Sequence, residues 1–230
     1  MARPSIIAGL PKFQRGGFWL FVVAAAASAL IADQPLAADL TLNHRFFSDL
    51  ALWQPFSAIF VFPEGHLGGL IGTLAIQWFV GSHLEGIWGL RRYLALVLGA
   101  AVVGYLALAL LSLAVPGALM YPTGGTGPAD LAAVIGFGVL FGRQQVQLFG
   151  ALPISSRGLA ALVAALMLLS PLLRGNWPQA VPAAIAALFA LLLASRWRSP
   201  PTSGKVAAGG ARRPRHLKVV DAGRRDKLLN

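Results

Sequence analysis

Long apolar stretches alternate along the chain with short polar ones, a pattern typical of proteins that cross a membrane several times. A transmembrane helix needs about 20 mostly apolar residues to cover roughly 30 Å of hydrocarbon. Six segments are long enough or nearly so, and the third contains no charged residue. The predicted spans are 17–32, 67–82, 93–115, 127–149, 158–173 and 178–195.

A seventh apolar run, 50–63, is too short to cross the bilayer. It is rich in aromatic residues and interrupted or bounded by Pro55 and Pro63, which favours an interfacial or re-entrant segment. The run belongs to a long first loop, 33–66, that holds four of the eight acidic residues of the chain. We therefore predict a membrane-embedded first loop between spans one and two.

Composition supports a membrane environment, because 57% of the residues are hydrophobic and only 12% are charged. Soluble chains are about one quarter charged. The net charge of +11 would favour nucleic-acid binding in a soluble protein. Ten of the 19 cations, however, lie from Arg196 onward, opposed only by Asp221 and Asp226. We expect membrane lipids as partners and no nucleic acid, although a nucleic-acid- or partner-binding role for this tail stays open.

Cations mark the cytoplasmic side of a membrane protein, and they place both chain ends there. The predicted organisation is an all-α membrane protein with a cytoplasmic N-terminus (1–16), a six-helix domain (17–195) and a basic, disordered cytoplasmic tail (196–230). A bacterial cytoplasmic (inner) membrane is the expected location. The basic start and first apolar run also fit a cleaved signal peptide, which would leave five spans.

Two stretches of the chain carry short motifs that together resemble those of one known protein family. The first begins in the aromatic loop and the second opens the fourth span; their residues are Trp53-Gln54-Pro55-Phe56, His66, Glu85, Gly89 and Arg92, then Gly124-Gly125-Thr126-Gly127. In order and spacing this resembles the rhomboid family of intramembrane serine proteases over about residues 50–195. The resemblance implies a six-helix bundle with a membrane-embedded first loop. A charged cytoplasmic turn and a glycine-rich helix start are the simpler interpretations of the two stretches.

The same resemblance implies that the catalytic positions have changed. Rhomboids use a serine nucleophile and a histidine base on span six, and here Thr126 and Gln179 occupy those positions. A glutamine amide cannot accept a proton near neutral pH. On span two, His66 matches the family's histidine, but Leu70 replaces an asparagine that helps to hold the oxyanion. We therefore expect a pseudoprotease that binds transmembrane or membrane-associated client proteins without cleaving them.

Asp130 is the one acidic residue in the fourth span, four positions after Thr126 and so on the same helix face. A charged side chain at the bilayer centre costs about 2.5–3.5 kcal/mol on insertion scales, so it usually faces the bundle interior or an aqueous cavity. We predict an outer, oxyanion-like polar cavity, with Asp130 paired to His66, formed by His66, Gly125, Thr126, Asp130 and Gln179. Alternatively, Asp130 is hydrated and only caps the start of its helix. One histidine and one acid are too few to hold a metal, and no cofactor is expected.

Two other functions stay open at this point. An active protease would use Thr126 as nucleophile with Asp130 or His66 as base, and an accessory subunit of a larger membrane complex would need neither. Glycine pairs in span two (Gly68 and Gly72) and span three (Gly99 and Gly104) permit close helix packing, either within the bundle or against a client.

Overall fold

A computed structural model describes residues 13–31, 34–62, 67–115, 117–142, 145–148 and 152–197. All of them belong to one compact unit of the chain. Three of the predictions lie outside the described residues: most of the N-terminal segment 1–16, the site residue His66, and the basic tail from residue 198 onward.

Helices make up nearly all of the described chain. The α-helices are α1 (Arg15–Ile31), α2 (Leu36–Leu40), α3 (Arg45–Ser48), α4 (Gln54–Ser57), α5 (Leu67–Ile76), α6 (Ser82–Trp88), α7 (Leu90–Ala114), α8 (Gly127–Leu140), α9 (Ser156–Leu173) and α10 (Ala180–Arg196). A π-helical segment, Gln77–Gly81, joins α5 to α6, and short 3-10 turns cover Ala58–Phe60 and Trp177–Gln179. Two short antiparallel strands, β1 (Gln145–Leu148) and β2 (Leu152–Ser155), precede α9.

Three helical segments of the described chain are long and apolar enough to cross a membrane: Leu90–Ala114, Ser156–Leu173 and Trp177–Arg196. Two shorter apolar helices, Arg15–Ile31 and Gly127–Leu140, accompany them. The prediction of a helical membrane protein is therefore confirmed at this level, while the count of six spans stays a prediction. The second predicted span is longer than expected, because helical structure continues from Leu67 to Trp88.

The fourth predicted span, 127–149, is wrong at its C-terminal end. The helix ends at Leu140, and the chain then forms the β1–β2 hairpin. The sequence at this point changes from apolar residues to Gly142 and the polar run Arg143-Gln144-Gln145. Glycine is a poor helix former, and a polar run has no apolar face to bury, so the helix stops before the hydrophobic pattern alone would end it.

Helix α7 packs against both α8 and α10 and forms the centre of the bundle. Small residues allow this: Ala186, Ala190 and Ala194 of α10 are fully buried at four-residue spacing. At Gly104 of α7 the backbones touch, because an added Cβ would lie 2.3 Å from the Pro182 carbonyl oxygen. The second glycine of the pair in α7 is therefore used for packing within the bundle.

The first loop folds as a series of short helical turns laid against the segment that precedes α8. Leu42 forms a β-bridge with Thr123, and the Ser57 hydroxyl donates to the Leu40 carbonyl at 2.7 Å. Ile59 and Val61 are buried, whereas Leu52 and Trp53 are 71% and 55% exposed. An apolar exposed side with aromatic residues suits the edge of a bilayer, and the interfacial position of 50–63 stays a prediction.

The residues of the Glu85-to-Arg92 motif connect four helices. The Glu85 carboxylate accepts hydrogen bonds from the backbone N–H groups of Gly16, at 2.9 and 3.1 Å, and Gly17, at 3.3 Å. Gly89 ends α6 with a φ of 76°, which glycine adopts readily, and its N–H donates to the Glu85 carbonyl. The Arg92 guanidinium lies 5.9 Å from the centre of the Trp197 ring. The motif therefore joins the start of α1 to α6, and the start of α7 to the end of α10.

Candidate functional site

A cavity of about 690 Å³ opens between α5, α8, α9 and α10. Four of the predicted site residues line it: Gly125, Thr126, Asp130 and Gln179. Its other lining residues are mainly apolar or small and include Gly68, Gly72, Thr73, Gly124, Gly127, Leu166, Met167, Ser170 and Pro182. The structure thus places polar groups from α5, α8 and the start of α10 around one apolar space.

Asp130 lies at the base of the cavity, in the first turn of α8, and three side chains hold its carboxylate. The hydroxyls of Thr73 and Thr126 donate to Oδ2 at 2.7 and 2.8 Å, and the Gln77 amide nitrogen donates to Oδ1 at 2.6 Å. The two threonine hydroxyls also contact each other. Asp130 is only 3% exposed. Both carboxylate oxygens are therefore satisfied within the protein, as a buried acid requires.

These contacts decide between the predicted surroundings of Asp130 only in part. The alternative of a hydrated acid that only caps α8 is wrong, because the carboxylate is buried against α5 and the π-helical segment. The predicted partner, His66, lies outside the described residues. Thr73 and Gln77 were not among the predicted site residues. Two polar residues four positions apart in an apolar span nevertheless indicate a shared polar face.

The hydrogen bonds continue from Asp130 into the bundle. The Gln77 side-chain oxygen accepts from the Tyr93 hydroxyl, and Tyr93 is fully buried. A Cβ added at Gly81 would lie 2.7 Å from that oxygen and 2.8 Å from the Tyr93 hydroxyl. The π-helical segment and Gly81 therefore make room for a polar chain from Thr126 through Asp130 and Gln77 to Tyr93.

Gly125 occupies the position where the resemblance suggests an oxyanion donor, but its backbone is already engaged. Its φ is 108°, and its N–H donates to the Ala58 carbonyl at 2.7 Å. The Gly125 carbonyl accepts from the buried Tyr105 hydroxyl at 2.6 Å. An oxyanion would have to displace the Ala58 carbonyl from this N–H, so Gly125 fixes the loop rather than offering a vacant donor.

The arrangement has one feature of a nucleophile and base, because the Thr126 hydroxyl is within hydrogen-bond range of the Asp130 carboxylate. That carboxylate also accepts from Thr73 and Gln77, so Thr126 shares its oxygens with two further donors. Within the described chain, no hydrogen bond joins Gln179 to Thr126, and no three His, Cys, Asp or Glu side chains are close enough to hold a metal ion. Polar groups that a bound molecule could contact thus lie beside an apolar space.

No protein-family model matches the chain, and no curated protein is similar to it.

Proposed function

We propose that the protein is a rhomboid-like membrane pseudoprotease that holds transmembrane segments of client proteins without cleaving them. One observation carries this proposal: an open cavity lies beside a buried Thr126–Asp130 pair whose carboxylate is already occupied by Thr73 and Gln77. A hydrolase needs a free base next to its nucleophile, whereas a binding site needs space and a few polar groups.

The cavity has walls suited to a helix. Gly68 and Gly72 lie one turn apart on α5, and nothing lies within 4 Å of a Cβ added at either. Small residues at this spacing let a second helix approach closely. On the opposite wall, Leu166 of α9 is 60% exposed. We infer that a client helix enters between α5 and α9 and packs on the glycine pair.

Polar groups at the cavity would select clients with an imperfect apolar helix. Ser170 and Gln179 line the same space as Asp130. In a bilayer, a hydrogen bond between helices contributes about 0.6 kcal/mol on average, so a few of them add selectivity without irreversible binding. A client with a polar residue in the middle of its transmembrane helix would gain the most binding free energy from these hydrogen bonds.

The finer topology belongs to this proposal. We assign six spans to α1, to the continuous segment from α5 to α6, and to α7, α8, α9 and α10, with both chain ends in the cytoplasm of a bacterial cell. Helix α8 has 14 residues and is about 21 Å long, so it needs a locally thin bilayer or a buried position. Ten of its residues are buried, which favours the second.

A photocrosslinking experiment tests client binding. A benzophenone amino acid at Leu166 lies in the cavity, and one at Leu169 lies on the same helix outside its lining, at comparable exposure. We expect crosslinks to single-span proteins from Leu166 and far fewer from Leu169. Equal yields at the two positions would contradict the proposal. One partner of fixed stoichiometry, recovered from both positions, would instead favour an accessory subunit of a larger complex.

The second candidate function is an active protease, and the 2.8 Å contact between Thr126 and Asp130 is the observation that favours it. Purified protein is incubated with a fluorogenic transmembrane substrate, alongside Thr126→Ala and Asp130→Asn variants. We expect no turnover above the Thr126→Ala background. Cleavage that both substitutions abolish would replace the pseudoprotease proposal with this one.

A further inference from the structure

A second concave site lies away from the client cavity, between α1 and α7. It is a groove of about 360 Å³ and shares none of its lining residues with the first cavity. Two matching stripes form its walls, each with four-residue spacing: Arg15, Trp19 and Val23 on α1, and Leu90, Leu94 and Leu98 on α7. Eight residues of helix correspond to about 12 Å, so the groove runs along the helices for about that length.

The groove is apolar along its walls and charged at one end. Trp19 and Val23 are 60% and 45% exposed, so the groove opens sideways toward the surroundings of the bundle. Arg15 lies at the end where both helices begin, and exposed Arg91 follows Leu90 there. An apolar slot of this kind, opening sideways in a membrane helix bundle, fits an acyl chain.

Three features make the charged end complementary to an anion. Among the described residues, the ion pair found joins Arg45 to Asp39, and neither Arg15 nor Arg91 pairs with a carboxylate of that part of the chain. The nearby Glu85 carboxylate is occupied by the N–H groups of Gly16 and Gly17. Since Glu85 already caps the start of α1, the free positive helix end at this site is that of α7, which has no side-chain cap.

We propose that this groove binds an anionic glycerophospholipid, with one acyl chain between α1 and α7 and its phosphate beside Arg15. The charge selects the headgroup, and the apolar walls hold the chain. The bound lipid would fill the space along α1 above the Glu85 contact and so stabilise the packing of α1 on α7. The proposal needs only that the chain is embedded in a bilayer, and it does not depend on client binding.

Native mass spectrometry of the full chain in neutral detergent tests the site. Phosphatidylglycerol and phosphatidylcholine with identical acyl chains are the probes. We expect the wild type to retain phosphatidylglycerol preferentially. Arg15→Gln should reduce that retention about fivefold, since one basic residue near an anionic surface contributes about 1 kcal/mol, and should leave phosphatidylcholine unchanged. The control, Arg196→Gln, removes the same charge from an exposed position outside the groove.

A second variant tests the apolar part of the groove. Val23→Trp fills it, while Leu30→Trp adds the same ring to an exposed position of α1 outside it. We expect Val23→Trp to lower retention of both lipids and Leu30→Trp to change neither. The proposal is overturned if Arg15→Gln and Arg196→Gln act equally, or if folded Val23→Trp retains both lipids as the wild type does. If Val23→Trp does not fold, the two arginine variants decide the question.

Discussion

Asp130 shows how single residues determine the character of the cavity between α5, α8, α9 and α10. Its carboxylate is buried where α5, the π-helical segment and α8 meet, and three side-chain donors take the place of water around it. Thr73 and Thr126 each carry one hydroxyl proton, while the Gln77 amide has a fixed direction because Tyr93 occupies its oxygen. The protein's own side chains therefore hold these polar groups in fixed positions.

Asp130→Ala should destabilise the protein by about 1–3 kcal/mol, because the Gln77 amide nitrogen loses its acceptor in a buried place. Asp130→Asn should cost less, since an amide oxygen still accepts from Gln77 and the threonine hydroxyls can accept from its nitrogen. Thr73→Val should cost about 0.6 kcal/mol, the usual value of one hydrogen bond within a membrane bundle. Equilibrium unfolding in mixed detergents, monitored by circular dichroism, measures the free energy of unfolding of each variant and so ranks the three losses. Wild-type stability of Asp130→Ala would contradict the role assigned to this cluster.

At the scale of elements, the contact between α7 and α10 depends on one glycine. A Cβ at Gly104 would lie 2.3 Å from the Pro182 carbonyl oxygen, and backbone cannot move aside as a flexible side chain can. In the same helix, a Cβ at Gly99 would lie 3.9 Å from the Phe189 ring, an ordinary contact. The two glycines look alike in the sequence but differ in their packing.

Gly104→Ala should therefore destabilise the bundle by about 1–3 kcal/mol through overpacking, whereas Gly99→Ala should be neutral or slightly stabilising. Thermal unfolding of the two purified variants measures the difference. Equal melting temperatures for both would show that α7 and α10 do not touch at Gly104.

The attachment of α1 depends on the Glu85 carboxylate, which serves as a cap supplied by another helix. Glu85→Ala should leave the N–H groups of Gly16 and Gly17 without this acceptor and remove a negative charge from a helix N-terminus, a loss of about 1–3 kcal/mol. Hydrogen exchange at these two amides should rise. As a control, Asp39→Asn breaks an exposed ion pair and should change stability by less than about 1 kcal/mol. Unchanged exchange in Glu85→Ala would contradict the cap.

At the scale of the whole molecule, the chain contains no cysteine, so its orientation can be read from single introduced thiols. Helix α7 has 25 residues and is about 37 Å long, enough to separate its two ends by a full bilayer. Arg91 lies at its start, and Met120, which is 67% exposed, lies beyond its end.

We expect a membrane-impermeant maleimide to label Met120→Cys and Arg174→Cys in intact cells, and to label Arg91→Cys and Arg157→Cys only after lysis. Loops with Lys and Arg side chains stay on the cytoplasmic side, where the reagent cannot reach them in intact cells. The turn with Arg174 is an exception, because the proposed topology places it on the outer side. Labelling of Arg91→Cys and Met120→Cys from the same side would contradict the proposed topology.

The hydrophobic pattern was sufficient to locate the long apolar helices, since transfer into a bilayer depends on how many consecutive residues are apolar and hardly on what packs beside them. It also located Asp130, because an acid in an apolar span needs an interior position in any fold. The hydrophobic pattern predicted too long a helix at α8, which ends at Leu140. Apolar residues continue beyond a short polar run there, and the low helix propensity of Gly142 just before that run ends the helix.

The partners of each helix face were decided only by the tertiary structure. Four-residue spacing puts Thr73 and Gln77 on one face of α5 and the adjoining π-helical segment, but it says nothing about which helix lies opposite or at what depth. The same holds for the cap from Glu85 to α1, which joins residues nearly 70 positions apart. The sequence shows which polar side chains would be costly to bury without a hydrogen-bond partner. Which residue becomes that partner depends on how the whole bundle packs, because packing brings distant parts of the chain together.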